Sequence, residues 1–143
     1  MASRSLDHLA KACAFVVFAD GRIEASEIEA VKGIFAKYGF DSAEGEAAAM
    51  RYLDGFIGKS GEKGADEAVR LGKLAIAGAD TFEILKDLAG IAVSDGEMSM
   101  GEVEVIHLLA EAFGLHPVLA SLALLHAASK TPDLKFSLEE NHG

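Results

Sequence analysis

Four acidic residues at a repeated spacing are the groups in this sequence best placed to do chemistry. Asp20-Gly21 is followed by Ile23 and Glu27, and Asp95-Gly96 by Met98 and Glu102, so the pattern D-G-x-[I/M]-x-x-x-E occurs twice. It matches the second half of an EF-hand calcium loop, in which a central D-G is followed by a closing glutamate. The earlier ligand positions of that loop are Val16 and Phe18 in the first copy, and Ile91 and Val93 in the second. Hydrocarbon cannot hold a hard cation, so neither copy is an EF-hand. If the two turns meet, Asp20, Glu27, Asp95 and Glu102 converge. Like charges brought together raise some of the pKa values and cost stability unless a cation neutralises them. Oxygen donors without histidine or thiolate point to a divalent Ca, Mg or Mn ion over zinc.

A second account needs no metal. In Ser99-x-x-Glu102 the serine caps a helix and the glutamate reaches back to the cap's own N–H, a capping box. Glu24-x-x-Glu27 fills the same slot less well, and Asp41–Glu44 and Asp80–Glu83 open other helices in similar fashion. Capping accounts for Glu27 and Glu102, and Gly21 and Gly96 then serve as turn glycines. It does not account for Asp20 and Asp95 near helix C-termini, where negative charge is disfavoured.

The elements that must position these groups are helical. Apolar residues recur with helical period along almost the whole chain, giving about seven helices and no convincing strand. Leu6, Leu9, Ala10, Cys13, Val16 and Val17 mark the first, roughly 4–18; Ile28, Val31, Phe35 and Tyr38 the second, closed by Gly39; Leu53, Phe56 and Ile57 the third, about 42–57. Val69, Leu71, Leu74 and Ile76 mark a fourth after the loop-like Gly58–Gly64, and Phe82, Leu85, Leu88 and Ala92 a fifth. Val103, Ile106, Leu109 and Phe113 mark a sixth, closed by Gly114, and Pro117 opens a seventh. The segments around the two D-G turns match without a gap, through Tyr38/Phe113 and Gly39/Gly114. Each is helix, D-G turn, helix. Two such hairpins are expected to pack around a pseudo-two-fold axis, since neither buries its apolar face alone. Tyr38 and Phe113 should both be mostly buried.

The chain has 143 residues, enough for one domain with a sizeable core. The helical domain is expected over 1–128, with a polar, frayed tail over 129–143. No apolar run approaches a membrane span, and the first residues lack the features of a secretory signal. Cys13 is the single cysteine, which excludes an internal disulfide and suits a cytoplasmic, reducing setting. With 23 acidic and 13 basic residues the formal charge is −10, a field that repels phosphate backbones and argues against nucleic acid.

The doubled D-G-x-[I/M]-x-x-x-E, each copy followed by a large apolar residue and glycine, resembles the TerB-like superfamily over roughly residues 5–116. That family is named for the tellurite-resistance protein TerB and includes the N-terminal domain of a membrane-anchored DnaJ-like co-chaperone. The resemblance implies seven helices, metal binding at the acidic positions, and other resistance-system proteins as partners, including ones at the inner face of the membrane. The His-Pro of a J domain appears here only as His116-Pro117-Val118, without the following aspartate. A stand-alone protein fits better.

Other chemistry is poorly supported. Glu104–His107 matches the E-x-x-H of di-iron bundles, but such a site needs two copies, and His107 reads as a half-buried helix residue. His8, His116, His126 and His142 share no spacing. Cys13 sits on an apolar face as a small hydrophobe. There is no glycine-rich phosphate loop, no G-x-S-x-G and no zinc spacing. The expected function is that of a non-enzymatic accessory or scaffold protein of a tellurite or chemical-stress response. The alternative is a divalent-cation sensor or buffer whose ion controls how the hairpins pack and bind partners.

Overall fold

A computed structural model describes residues 2–20, 25–58, 80–94 and 96–137, with side chains over 6–18, 25–55, 80–94 and 96–135. Among these residues there are six helices: α1 (Ala2–Asp20), α2 (Ala25–Lys37), α3 (Ser42–Gly58), α4 (Thr81–Ala92), α5 (Met100–Ala112) and α6 (Pro117–Ser129). The fold is all-α, as the apolar periodicity requires. The helix expected around Val69–Ile76 lies outside the described residues.

Helix starts follow local chemistry. Asp41 Oδ1 accepts from the Ala43 and Glu44 N–H groups at 2.8 and 3.1 Å, and Asp80 Oδ1 from those of Phe82 and Glu83 at 2.9 and 3.3 Å. Each satisfies amides that have no partner within their own helix. At α6 the cap is His116, whose Nδ1 accepts from the Val118 N–H at 3.1 Å, with Pro117 in the first turn.

Helix ends follow the repeat. Gly39 and Gly114 have φ of 83° and 76°. After each, the chain closes in the same way: Phe40 N–H donates to Phe35 O at 2.9 Å, and Leu115 N–H to Ala110 O at 2.8 Å. This is the glycine-dependent stop in which a left-handed residue turns later amides back onto the last helical carbonyls.

The equivalence runs through the core. Leu9/Ile84, Ala10/Leu85, Cys13/Leu88, Val16/Ile91, Val31/Ile106 and Ile34/Leu109 are buried at both members of each pair. It also extends one helix beyond the motif. α3 and α6 begin at equivalent positions, the caps Asp41 and His116 correspond, and Gly45/Ala120 and Ala48/Ala123 are buried in both. Each repeat is therefore three helices, α1–α3 and α4–α6. Within each, the third helix packs on the first two; between them, α1 packs on α5, α2 on α4, and α1 on α4. That reciprocal pattern is what pseudo-two-fold packing requires. α1 is more enclosed than its expected single apolar face, because residues 12–17 are buried all round. It forms the centre of the domain.

Two expectations change. Phe113 is 7% exposed, as expected, but Tyr38 is only half-buried, because its hydroxyl reaches Asp87 on α4. The segment after α6, expected to be frayed, turns at Asp133 (φ 61°). It then forms β2 (Lys135–Ser137), which pairs in parallel with β1 (Glu97–Ser99). Backbone hydrogen bonds supply the register that the polar side chains of this stretch do not announce.

Candidate functional site

The site is built at the two helix starts that follow the D-G turns. Glu27 lies in the first turn of α2 and is 1% exposed; Glu102 lies in the first turn of α5 and is 2% exposed. Asp20 is the last residue of α1; its side chain and the whole of Asp95 lie outside the described residues. So do Gly21, Arg22, Ile23 and Glu24, the remainder of the first turn.

In the second repeat the chain is held from several directions. Gly96 takes φ 83° and donates its N–H to Val93 O at 2.9 Å. Its carbonyl accepts from the Lys135 N–H at 3.0 Å, which brings β2 alongside the turn. Met98, 1% exposed, anchors β1 in the core. Ser99 Oγ accepts from the Glu102 N–H at 3.2 Å, and Glu102 Oε1 accepts from the Ser99 N–H at 2.8 Å. The capping box is complete.

Capping does not by itself call for a buried carboxylate. Glu44 and Glu83 occupy the corresponding third positions of α3 and α4, after the capping aspartates, and neither is buried: Glu44 is exposed, and the Glu83 side chain keeps 42% of its surface. Glu27 and Glu102 are the buried charged residues among those described. Taking a carboxylate out of water is costly unless it is well partnered, and the fold does so twice, at equivalent places. The former EF-hand positions behave as hydrocarbon should: Val16, Ile91 and Val93 are buried and Phe18 is half-buried. Among the described residues, no three His, Cys, Asp or Glu side chains gather into a metal-binding group. The proposed convergence with Asp20 and Asp95 rests on residues beyond that description.

A second polar cluster escaped the sequence reading. Lys37 Nζ lies 2.9 Å from Asp87 Oδ2 and 3.2 Å from Glu83 Oε2, and the Tyr38 hydroxyl donates to Asp87. The phenol is pushed well above its ordinary range by partial burial, by its hydrogen bond to Asp87 and by nearby negative charge. Lys37 is raised, chiefly by its hydrogen bond to Asp87. Glu83 is lowered, first by Lys86 and then by Lys37. This cluster ties α2 of one repeat to α4 of the other. The partners lie far apart in the chain, so no local spacing could reveal it.

The remaining candidates are structural. His107 is exposed, not half-buried, and its Nδ1 sits 2.9 Å from the Val103 carbonyl one turn earlier, which leaves the E-x-x-H without a metal-like arrangement. His116 is the α6 cap. Cys13 is fully buried, and its thiol is pushed up by burial and then by the charge of Asp87, the opposite of an activated nucleophile. Among the described residues, no helix is long and apolar enough to cross a membrane.

The family model described as tellurite resistance protein TerB matches residues 6–124. No curated protein and no solved structure matches the chain.

Proposed function

Since this chain belongs to the TerB tellurite-resistance family, we propose that it is a non-enzymatic accessory or scaffold protein of a tellurite or chemical-stress response, whose paired D-G turns bind a divalent cation. The observation that carries the cation is the burial of Glu27 and Glu102, set against the exposed Glu44 and the only partly covered Glu83 at similar positions. The donor chemistry fits a hard ion, because the residues concerned offer carboxylate oxygen and no sulfur or imidazole. Asp20 and Asp95, each directly before the glycine of the repeated motif, would complete the set. Ca, Mg or Mn are the candidates, and the ion's role is to offset gathered negative charge. The partners proposed are other resistance-system proteins, including membrane-associated ones, in the cytoplasm.

The sensor reading has one observation in its favour. The turn that precedes Glu102 also carries β1, and β1 carries β2. An ion that reorganised the turn would be felt by the segment that follows α6. Calorimetric titration with Ca²⁺, Mg²⁺ and Mn²⁺, together with melting curves in each, tests the binding itself. Heat and a raised melting temperature with one of the ions support it; no heat and no shift with all three remove the cation and leave the turns as hinges.

A further inference from the structure

An open groove of about 450 Å³ lies where α2, the end of α4 and the end of α6 come together. Its apolar surface comes from Ala30 and Ile34 on α2, Gly90 and Val93 at the end of α4, and Ala127 on α6. The repeat explains the space. At the positions equivalent to Gly90, Val93, Ala127 and Thr131, the first repeat carries Phe15, Phe18, Tyr52 and Phe56. Phe15 is 3% exposed, and Phe18 and Tyr52 pack partly buried against the core. Where one repeat places four rings, the other places small or short side chains. Gly90 stands inside a helix, where glycine is disfavoured, yet a Cβ there would meet nothing within 4 Å. Packing does not demand this glycine, and its missing side chain opens the groove.

The polar groups on the walls suit an anion. Lys86 stands on the α4 side, and His126 and Lys130, one turn apart, on the α6 side. Asp87, the carboxylate among the lining residues, is already engaged by Lys37 Nζ at 2.9 Å and by the Tyr38 hydroxyl. Ser94 and Thr131 also line the groove, but their hydroxyls donate to the Ile91 and Ala127 carbonyls at 2.8 and 2.9 Å. The donors left for a ligand are therefore cationic side chains. Lys86 is shared with Glu83 at 3.0 Å, whereas Lys130 meets no carboxylate within salt-bridge distance among the described residues. No acidic residue occurs from Ala112 to Pro132, so α6 brings none to the groove. In a chain of formal charge −10, three basic side chains on one groove reverse the local field.

We propose that this groove binds a small aromatic carboxylic acid. The ring lies against Gly90, Val93 and Ala127, in the volume that the first repeat fills with its own rings, and the carboxylate is met by Lys130, His126 and Lys86. An apolar floor with a few convergent polar groups, at a volume of about 300–1,000 Å³, is the usual make-up of a small-molecule site. The groove is open and its lysines reach water, so each ion pair adds little and the binding is weak. Neither Glu27 nor Glu102 lines the groove, so this binding does not depend on the cation.

NMR titration of the ¹⁵N-labelled full chain tests this, with phenylacetate as the probe. Acetate, which has no ring, and 2-phenylethanol, which has no charge, are the controls. Phenylacetate is expected to shift the amides of Gly90, Ser94, His126 and Thr131 saturably, and both controls should bind at least about fivefold more weakly. Lys130→Ala should weaken phenylacetate about two- to fivefold, the range of an exposed ion pair. Gly90→Phe installs the first repeat's residue where a side chain has room to start, and should keep the helicity and abolish the shifts. Lys130 is exposed, so its variant stays folded and informative whatever Gly90→Phe does to the core. The absence of saturable shifts in the parent overturns the proposal. So does equal binding of either control, an unchanged affinity in Lys130→Ala, or binding that persists in a folded Gly90→Phe.

Discussion

The ring of Phe35 occupies the space that a Cβ on Gly45 would fill, so α2 and α3 meet through a large residue set against an absent one. At the equivalent positions of the second repeat stand Ala110 and Ala120, both buried. Each repeat thus divides a similar space between two facing helices in a different way. Gly45→Ala would gain up to about 1 kcal/mol in helix propensity, but overpacking against the ring costs about 1–3 kcal/mol, so a net loss is expected. The same change in a Phe35→Ala background should cost less, because the clash is gone. Denaturant titration of the two single variants and the double variant measures that coupling. Additive effects would mean that the ring yields freely.

Phe113 closes the second repeat's core at 7% exposure. Truncation to alanine should cost about 3–5 kcal/mol, the range for a buried aromatic ring. Tyr38, its half-buried counterpart, works through its hydroxyl, so Tyr38→Phe should cost only about 1 kcal/mol. Urea melts of the two variants should differ accordingly, and equal losses would contradict the burial difference.

Alkaline pH should separate Tyr38 from the rest of the protein. Its folded-state pKa lies above the ordinary 10.0. The folded chain therefore keeps a proton that the unfolded chain releases, and stability falls as pH rises beyond about 10. Lys37, also raised, acts in the same direction above its ordinary 10.5, and the buried Cys13 does so from its ordinary 9.0. Tyr38→Phe should leave the decline between pH 9 and 10 unchanged and flatten it above 10. Water reaches the ring, so the difference in slope should stay well under the roughly 1.4 kcal/mol per pH unit of one fully linked proton. Melting temperatures from pH 8 to 11.5 provide the comparison, and identical slopes would show that neither the partial burial of the ring nor its Asp87 contact is held in solution.

Much of this architecture could be read before any coordinates. Helical periodicity located five of the six helices described and Pro117 the start of the last, Gly39 and Gly114 marked the stops of α2 and α5, and the gap-free repeat their pairing, because each of these signals is local or recurs at a fixed offset. Ser99 and Glu102 were legible as a capping box for the same reason. The third helix of the repeat was not, since Gly45/Ala120 and Ala48/Ala123 match in size and burial and not in any motif. Nor was β2, whose pairing depends on backbone groups that are alike in every sequence. The Lys37–Tyr38–Asp87 cluster joins residues that meet only once α2 lies on α4. At the candidate site, the sequence marked Glu27 and Glu102 but not their depth, and depth is what distinguishes them from Glu44 and Glu83.

That difference in depth permits a test that separates cation from cap. A glutamine can take the glutamate's place in a capping box, since its carbonyl oxygen accepts the same backbone hydrogen bond. The pair Glu27→Gln with Glu102→Gln therefore keeps the Ser99–Glu102 capping box and replaces both buried carboxyl groups with neutral amides. If a divalent ion offsets negative charge on those groups, the ion-free variant should be as stable as the parent or more so. Its response to Ca²⁺, Mg²⁺ or Mn²⁺ should vanish. In the parent, an ion at about a hundred times its dissociation constant contributes roughly 2.7 kcal/mol, which a melting curve resolves. The pair Asp20→Asn with Asp95→Asn should abolish the response in the same way. Ser99→Ala should do the reverse, lowering stability by about 1 kcal/mol through loss of the cap while the ion-induced shift persists. If the glutamine pair instead lowers stability and no ion shifts the parent, the two carboxylates are buried for their hydrogen bonds alone, and the cation has no place in the mechanism.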